Sequence, residues 1–292
     1  MLRALRSLTI LALLVTGSFA QAAALAIIEQ VQAPAWLERA GRLTPLVPGT
    51  ELRSSDVVMT GLNARAYLLL ADGSRVKLGE SARFAVHSHS TRPDKVLHGA
   101  LDVLAGAFRF TTGVFKRATR QTTERDLLIR VGTVTIGIRG TDIWGKSSKE
   151  RDIVALLEGR IEVARSGGTF ELAEPMIYLD APRVGDMLVR PLESGRMDIW
   201  VRETEILPGD GAALRQGRWR VQVAMTSTQE EALVTYDKLR EAGYDARLRP
   251  FKPAEATDWQ YAIYLAGFAD RKEAAVVAGR LAGLGFTATV SR

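Results

Sequence analysis

Hydrophobic and polar positions alternate in three different ways along the chain. A short apolar run, Leu8 to Val15, sits behind Arg3 and Arg6 and ahead of the small residues that end in Ala20-Gln21-Ala22. From about Val57 to Pro182 the apolar runs are short and broken by turn pairs. Val57–Thr60 runs into Gly61-Leu62-Asn63. Ala66–Leu70 meets Asp72-Gly73 before Val76-Lys77-Leu78. Leu101–Leu104 meets Ala105-Gly106 before Phe108-Arg109-Phe110, and Ile153–Leu157 meets Glu158-Gly159 before Ile161-Glu162-Val163. Such runs at spacings near ten residues, with no helical stripe, predict an all-β unit of sandwich or roll type. The Asp72-Gly73 pair predicts a hairpin with both turn residues at positive φ.

Past residue 217 the period changes, and the chain repeats itself. Trp219 matches Tyr261, Val221 matches Ile263, Leu239 matches Leu281, and Gly243-Tyr244 matches Gly285-Phe286, at a constant offset of 42. Each copy reads strand, helix, strand. Thr228 with Glu231, and Asp270 with Glu273, mark helix starts. Ala232, Tyr236 and Leu239 form one apolar stripe, and Ala274, Val277 and Leu281 form the other. Gly243 and Gly285 suit left-handed stops. Two copies make one βαββαβ domain with both helices on one sheet face. Strand parity then turns Val221, Val223, Ile263 and Leu265 toward the helices, and Arg220, Gln222 and Tyr264 away. With Ala246 and Leu248 inward, Arg247 and Arg249 face outward. The open face thus collects Arg220, Gln222, Arg247, Arg249 and Tyr264. That composition suits a solvated surface, and equally a shallow platform that stacks and hydrogen-bonds a polymer.

The N-terminal pattern predicts a cleaved export signal, residues 1–22, with cleavage after Ala22. The alternative, a retained anchor helix, would need about 20 apolar residues, and the strongly apolar run stops at Gly17. No later stretch is apolar over a comparable length, so the mature chain is expected to be exported and periplasmic.

Composition narrows the chemistry. The 292 residues contain no cysteine, which excludes thiolate nucleophiles, disulfides, lipid attachment at a lipobox and cysteine-based metal sites. The only histidines are His87, His89 and His98. His87 and His89 share a strand face and, with His98 and Asp94 or Asp102, could surround a metal; surface histidines in a loop are the simpler reading. No nucleophile–base pair and no phosphate loop occurs, so an enzyme is not expected, and no cofactor is expected. The net charge of +6 falls by two if Arg3 and Arg6 leave with a leader. This mild bias favours anionic surfaces without marking nucleic acid.

Two families are suggested by ordered residue sets. Thr60-Gly61, Asp72-Gly73-Ser74, Leu104-Ala105-Gly106, Gly137-Ile138-Arg139-Gly140-Thr141-Asp142-Ile143-Trp144 and Leu157-Glu158-Gly159-Arg160-Ile161-Glu162-Val163 together resemble the periplasmic FecR domain over roughly residues 45–185. The Arg139–Asp142 stretch reads as a structural turn with an internal ion pair, or as a ligand loop. Trp219-Arg220-Val221-Gln222-Val223, Gly243-Tyr244, Tyr261-Ala262-Ile263-Tyr264-Leu265-Ala266-Gly267-Phe268 and Gly285-Phe286 resemble the SPOR domain, of ribonucleoprotein-like fold, over residues 217–292. That resemblance implies peptidoglycan binding, with glycan strands stripped of peptide favoured and enrichment at division septa. The FecR resemblance implies sensing or protein interaction in the envelope. RNA-binding modules share the second fold, but export argues against RNA.

The expected organisation is therefore a signal peptide (1–22), a FecR-like β domain (23–195), a linker (196–216, flexible over Pro208–Gly217) and a SPOR-like α+β domain (217–292). The expected function is a non-enzymatic periplasmic cell-wall-binding protein. Its expected partners are peptidoglycan glycan strands and an unidentified envelope protein, with no membrane span after signal cleavage. The alternative is an envelope signalling regulator in which the FecR-like domain is the active part and the SPOR-like domain localises it.

Overall fold

A computed structural model describes residues 24–88, 98–113, 126–138, 140–165, 168–254 and 258–292. The expected leader, its cleavage site, His89, Asp94 and Arg139 lie outside the described residues.

In chain order the elements are β1 (Ala26–Gln32), β2 (Ala35–Arg39), β3 (Arg42–Pro45), β4 (Glu51–Leu52), β5 (Asp56–Thr60), β6 (Arg65–Leu70), β7 (Arg75–Leu78), β8 (Arg83–Ser88) and β9 (His98–Thr111). There follow β10 (Asp126–Val131), β11 (Val134–Ile138), β12 (Asp142–Ser147), β13 (Arg151–Glu158), β14 (Ile161–Arg165), β15 (Gly168–Leu172), β16 (Ile177–Pro182) and β17 (Leu188–Pro191). Next come α1 (Ser194–Thr204), β18 (Ala212–Leu214), β19 (Trp219–Thr226), α2 (Gln229–Glu241), β20 (Arg247–Phe251), β21 (Gln260–Phe268), α3 (Arg271–Gly283) and β22 (Thr289–Ser291).

The N-terminal unit is a sandwich of two sheets. The first runs β17–β16–β13–β12–β9–β7–β6–β1. The second runs β3–β2–β5–β8–β9–β10–β11–β14–β15. Alternating residues such as Ile28, Leu68, Phe84, Phe108, Phe110 and Ile136 meet between them in one apolar core. This burial is the main driving force for the sandwich.

Strand β9 belongs to both sheets. Its first half pairs with β8 and β10, its second half with β7 and β12. The sequence predicts a reversal at Ala105-Gly106; the chain instead bends there and continues. Gly106 has φ +81°, and a Cβ on it would lie 2.5 Å from the Ala82 Cα. A glycine serves a corner as well as a turn, because both need the left-handed region and close backbone approach. The Gly137–Trp144 stretch likewise carries the chain from β11 in the second sheet to β12 in the first. Gly140 (φ +68°) lies in the passage. Arg139, the partner expected within that turn, lies outside the described residues; Asp142 takes two hydrogen bonds from Arg109, at 3.0 and 2.7 Å.

The β6–β7 hairpin also differs in detail. Gly73 has positive φ and Asp72 does not. The Asp72 carboxylate is buried and accepts from the Ser74 amide (2.9 Å) and hydroxyl (2.8 Å), while Leu70 N–H donates to Ser74 O. Asp72 thus stabilises its own four-residue loop in the way short acidic side chains do.

The C-terminal unit has the predicted order β19-α2-β20-β21-α3-β22. Thr228 and Asp270 cap the helices by accepting from the amides of Glu231 (3.3 Å) and Glu273 (2.9 Å). Gly243 and Gly285 follow the helices at φ +81° and +85°. Val221, Ile263, Leu265, Ala232, Leu239, Ala274 and Leu281 are buried together.

The segment expected as a linker is built into the fold. Helix α1 packs Trp200 flat on Trp144, with ring centroids 4.6 Å apart and 9° between planes, and edge-on to Tyr178. Strand β18 pairs with β1 on one side and β21 on the other. Around Pro208–Gly211 the backbone is pinned, because Glu273 accepts from the amides of Gly209 (2.5 Å) and Gly211 (2.7 Å). Turn residues signalled flexibility; the partner that fixes them lies more than 60 positions away.

Candidate functional site

Antiparallel pairing decides which side chains share the open face of the C-terminal sheet. Arg247 pairs with Tyr264, Tyr264 with Gln222, and Gln222 with Thr289, so one row of cross-strand neighbours crosses four strands. Directly paired residues point to the same side. Arg220, opposite Ala266, and Arg249, opposite Ala262, flank that row. All five residues read from the sequence, Arg220, Gln222, Arg247, Arg249 and Tyr264, therefore stand on the face away from α2 and α3. A bulge between Gln222 and Ala224 turns Val223 and Ala224 both inward and brings the exposed Met225 to the outer face, across Ala262 from Arg249.

The face has internal order. The Arg220 guanidinium lies 5.4 Å from the centre of the Tyr264 ring, which holds the ring and leaves guanidinium donors at its edge. Arg247 sits 3.3 Å from Asp245. Burial raises the Asp245 carboxyl above its ordinary value, and Arg247 pulls the other way. The result is a shallow surface of guanidinium and amide donors around one aromatic ring.

A second polar face was not read from the sequence. On the outer side of the first sheet, Tyr67, Lys77, Arg109, Trp144, Ala155 and Tyr178 are successive cross-strand neighbours. Helix α1 lies over this row, and Glu205, just past its end, closes the contact. Lys77 donates to Glu205 at 2.6 and 2.7 Å, Tyr67 donates at 2.9 Å and Arg109 at 3.3 Å. Burial would raise the Glu205 carboxyl. The bonds from Lys77 and Tyr67, with the charge of Arg109, outweigh it and hold the group below the ordinary carboxylate value. The Tyr67 phenol is pushed well above its ordinary range, first by burial and then by Glu205. The visible signal was Phe108-Arg109-Phe110, whose alternation turns Arg109 outward. Nothing local shows that its neighbours are Lys77 and Trp144.

His87 lies 3.3 Å from Asp102, which also receives Arg130. Among the described residues no group of three metal-ligating side chains occurs.

The two units meet through backbone as well as side chains. Ala35 N–H donates to Gly243 O at 3.1 Å, and the Trp36 indole donates to Glu241 O at 3.3 Å. A Cβ on Gly243 would lie 2.6 Å from the Trp36 ring. No helix among the described residues is long and apolar enough to cross a membrane.

These features define a β-sandwich joined to a βαββαβ module with an arginine- and tyrosine-bearing sheet face. The chain carries a FecR domain at residues 56–162, matching the family described as FecR protein, and a SPOR domain at residues 216–292. No curated protein matches the chain. Similar solved structures include two crystal structures of a candidate anti-sigma factor from Parabacteroides distasonis ATCC 8503. One, at 2.50 Å, is 14% identical with a TM-score of 0.40, over 77% of this chain and 90% of that one. The other, at 1.65 Å, is 13% identical with a TM-score of 0.40, over 81% and 98%.

Proposed function

We propose that this is a non-enzymatic, exported envelope protein whose SPOR domain binds peptidoglycan glycan strands, with peptide-stripped strands preferred. The observation that carries the reading is the cross-strand row Arg247–Tyr264–Gln222, with Arg220 against Tyr264, on the sheet face opposite the helices. A glycan strand offers hydroxyl and acetamide groups to amide and guanidinium donors, and a flat sugar face to the Tyr264 ring. Removal of residues 1–22 would deliver the chain to the periplasm, where the septum supplies stripped strands. On this reading the FecR domain receives a protein partner in the envelope.

A rim hydrogen bond is worth about 1 kcal/mol and an aromatic contact a similar amount. Gln222→Ala with Tyr264→Ala should therefore weaken co-sedimentation with purified sacculi roughly tenfold or more. Neither side chain supports the core, so circular dichroism and melting should change little. Wild-type-like pelleting by a folded double variant would refute the assignment. The second reading, a signalling regulator acting through the FecR domain, is favoured by the domain match at residues 56–162. If it alone holds, the unmodified chain does not pellet with sacculi.

A further inference from the structure

The sheet of the SPOR domain and the first sheet of the FecR domain are one sheet. Val31 pairs with Ala213, Ala213 with Phe268, and Phe268 with Trp219. Val31 lies in the sandwich core and Phe268 in the SPOR core, so the core side of one domain continues into the helix side of the other. The opposite side is continuous by the same parity: Tyr67 pairs with Gln30, and Gln30 with Leu214. The arginine-bearing SPOR face and the outer face of the sandwich therefore lie on the same side of one sheet.

At their junction is an open groove of about 650 Å³. Its floor is Ile27, Leu69 and Leu214, and Tyr67, Arg75 and Arg215 stand around it. Tyr67 is fixed by its bonds to Glu205 and to the Ile206 amide. Arg215 is exposed and has no ion-pair partner among the described residues. Among the described residues Arg75 pairs with Glu29 alone, which also lines the groove, at a loose 3.6 Å, and Arg75 is 61% exposed. Between groove and SPOR face the chain crosses β21 at Gly217. A Cβ there would collide with the Gly267 backbone, so the crossing lies flush against the strand.

We propose that this groove is a second saccharide subsite that binds the same glycan strand as the SPOR face, with Arg75 and Arg215 pairing to its carboxylates. The inference rests on the proposed glycan reading and adds a site on the FecR domain. A peptide-free strand carries a free carboxylate on alternate sugars, and the apolar floor with one tyrosine suits sugar faces. Guanidinium groups match carboxylates through paired N–H donors. Strands lie about 4.8 Å apart, roughly one sugar ring. The path from the SPOR face into the groove crosses β22, β19, β21, β18, β1, β6 and β7, with β20 beside β18 on the same edge of β21, so a strand of about seven or eight sugars would cover both parts and one of about four would cover either alone.

The test measures binding of peptide-free glycan oligosaccharides of four and eight sugars to the chain lacking residues 1–22. The eight-sugar ligand should bind at least tenfold more tightly than the four-sugar ligand. Arg75→Glu with Arg215→Glu should abolish that gain and leave four-sugar binding within twofold of wild type. Converting the oligosaccharide carboxylates to amides should remove the gain in the same way. Arg42→Glu, an exposed charge reversal on β3 of the other sheet, should change neither. Equal affinity for both lengths in the wild type, or a full gain in the double variant, overturns the second subsite alone. Failure of the wild type to bind either ligand overturns the SPOR-face reading, and the subsite with it.

Discussion

Trp200→Ala tests whether the segment between the domains is structure or tether. Trp200 stacks on Trp144, which is fully buried, and meets the edge of Tyr178, with the Arg196 guanidinium 5.9 Å from its ring centre. Truncating a fully buried tryptophan costs about 3–5 kcal/mol. Trp200 keeps part of its surface in water, so about half of that applies to area, ~2 kcal/mol. The stacked pair adds about 1 kcal/mol beyond area. The expected loss is therefore roughly 2–3 kcal/mol in the transition that reports on the Trp144–Trp200 pair. Near-UV circular dichroism during urea unfolding reads that transition, since two parallel indoles at this distance couple. Hydrogen exchange reads α1 directly, and its amides should lose protection before the sandwich does. Ile199→Ala is the control: Ile199 is 64% exposed on the same helix, and its truncation should stay within about 0.5 kcal/mol. A Trp200→Ala effect as small as the control, with unchanged exchange across residues 194–204, would show that α1 does not hold the sheet and refute the reasoning.

Two further perturbations probe the same architecture. Glu205→Gln should destabilise by about 1.5–3 kcal/mol at neutral pH, the range for hydrogen bonds to a charged group. Because the folded carboxyl is held below its unfolded value, its contribution is present above the ordinary carboxylate pKa and disappears as pH falls through the depressed folded value. Stability of the wild type and Glu205→Gln, measured by urea titration from neutral to acid pH, should therefore converge at low pH; a constant gap would contradict the assignment. Gly243→Ala and Gly285→Ala both place a Cβ at positive φ, but only Gly243 faces Trp36 and Pro34, with open space around Gly285. Gly285→Ala should cost about 1 kcal/mol. Gly243→Ala should cost clearly more and should also expose the Trp36 indole in fluorescence; equal melting shifts would mean the domains do not bear on each other at this point.

Much of this protein follows from local patterns. Apolar alternation in runs such as Ala66–Leu70 sets which side of a strand meets the core, since side chains on a pleated strand alternate whatever the strand pairs with. The 42-residue repeat, the caps at Thr228 and Asp270 and the stops at Gly243 and Gly285 define α2 and α3, because capping acts within a few residues. Parity alone was also enough to gather Arg220, Gln222, Arg247, Arg249 and Tyr264 on one face, given strands of the right order. What the tertiary structure decided is everything that needs a distant partner. A glycine at 106 is compatible with a hairpin or with a corner, and only pairing of β9 with four other strands selects the corner. Asp142 takes Arg109, 33 positions earlier in the chain, as a partner. Gly209 and Gly211 look free until Glu273, on another element, binds their amides. The indole of Trp200, the carboxylate of Glu205 and the pairing of β18 with both β1 and β21 turn an apparent linker into the seam of a single continuous sheet. Such contacts are set by register between strands far apart in the chain, and register is a property of the assembled sheet rather than of any one segment.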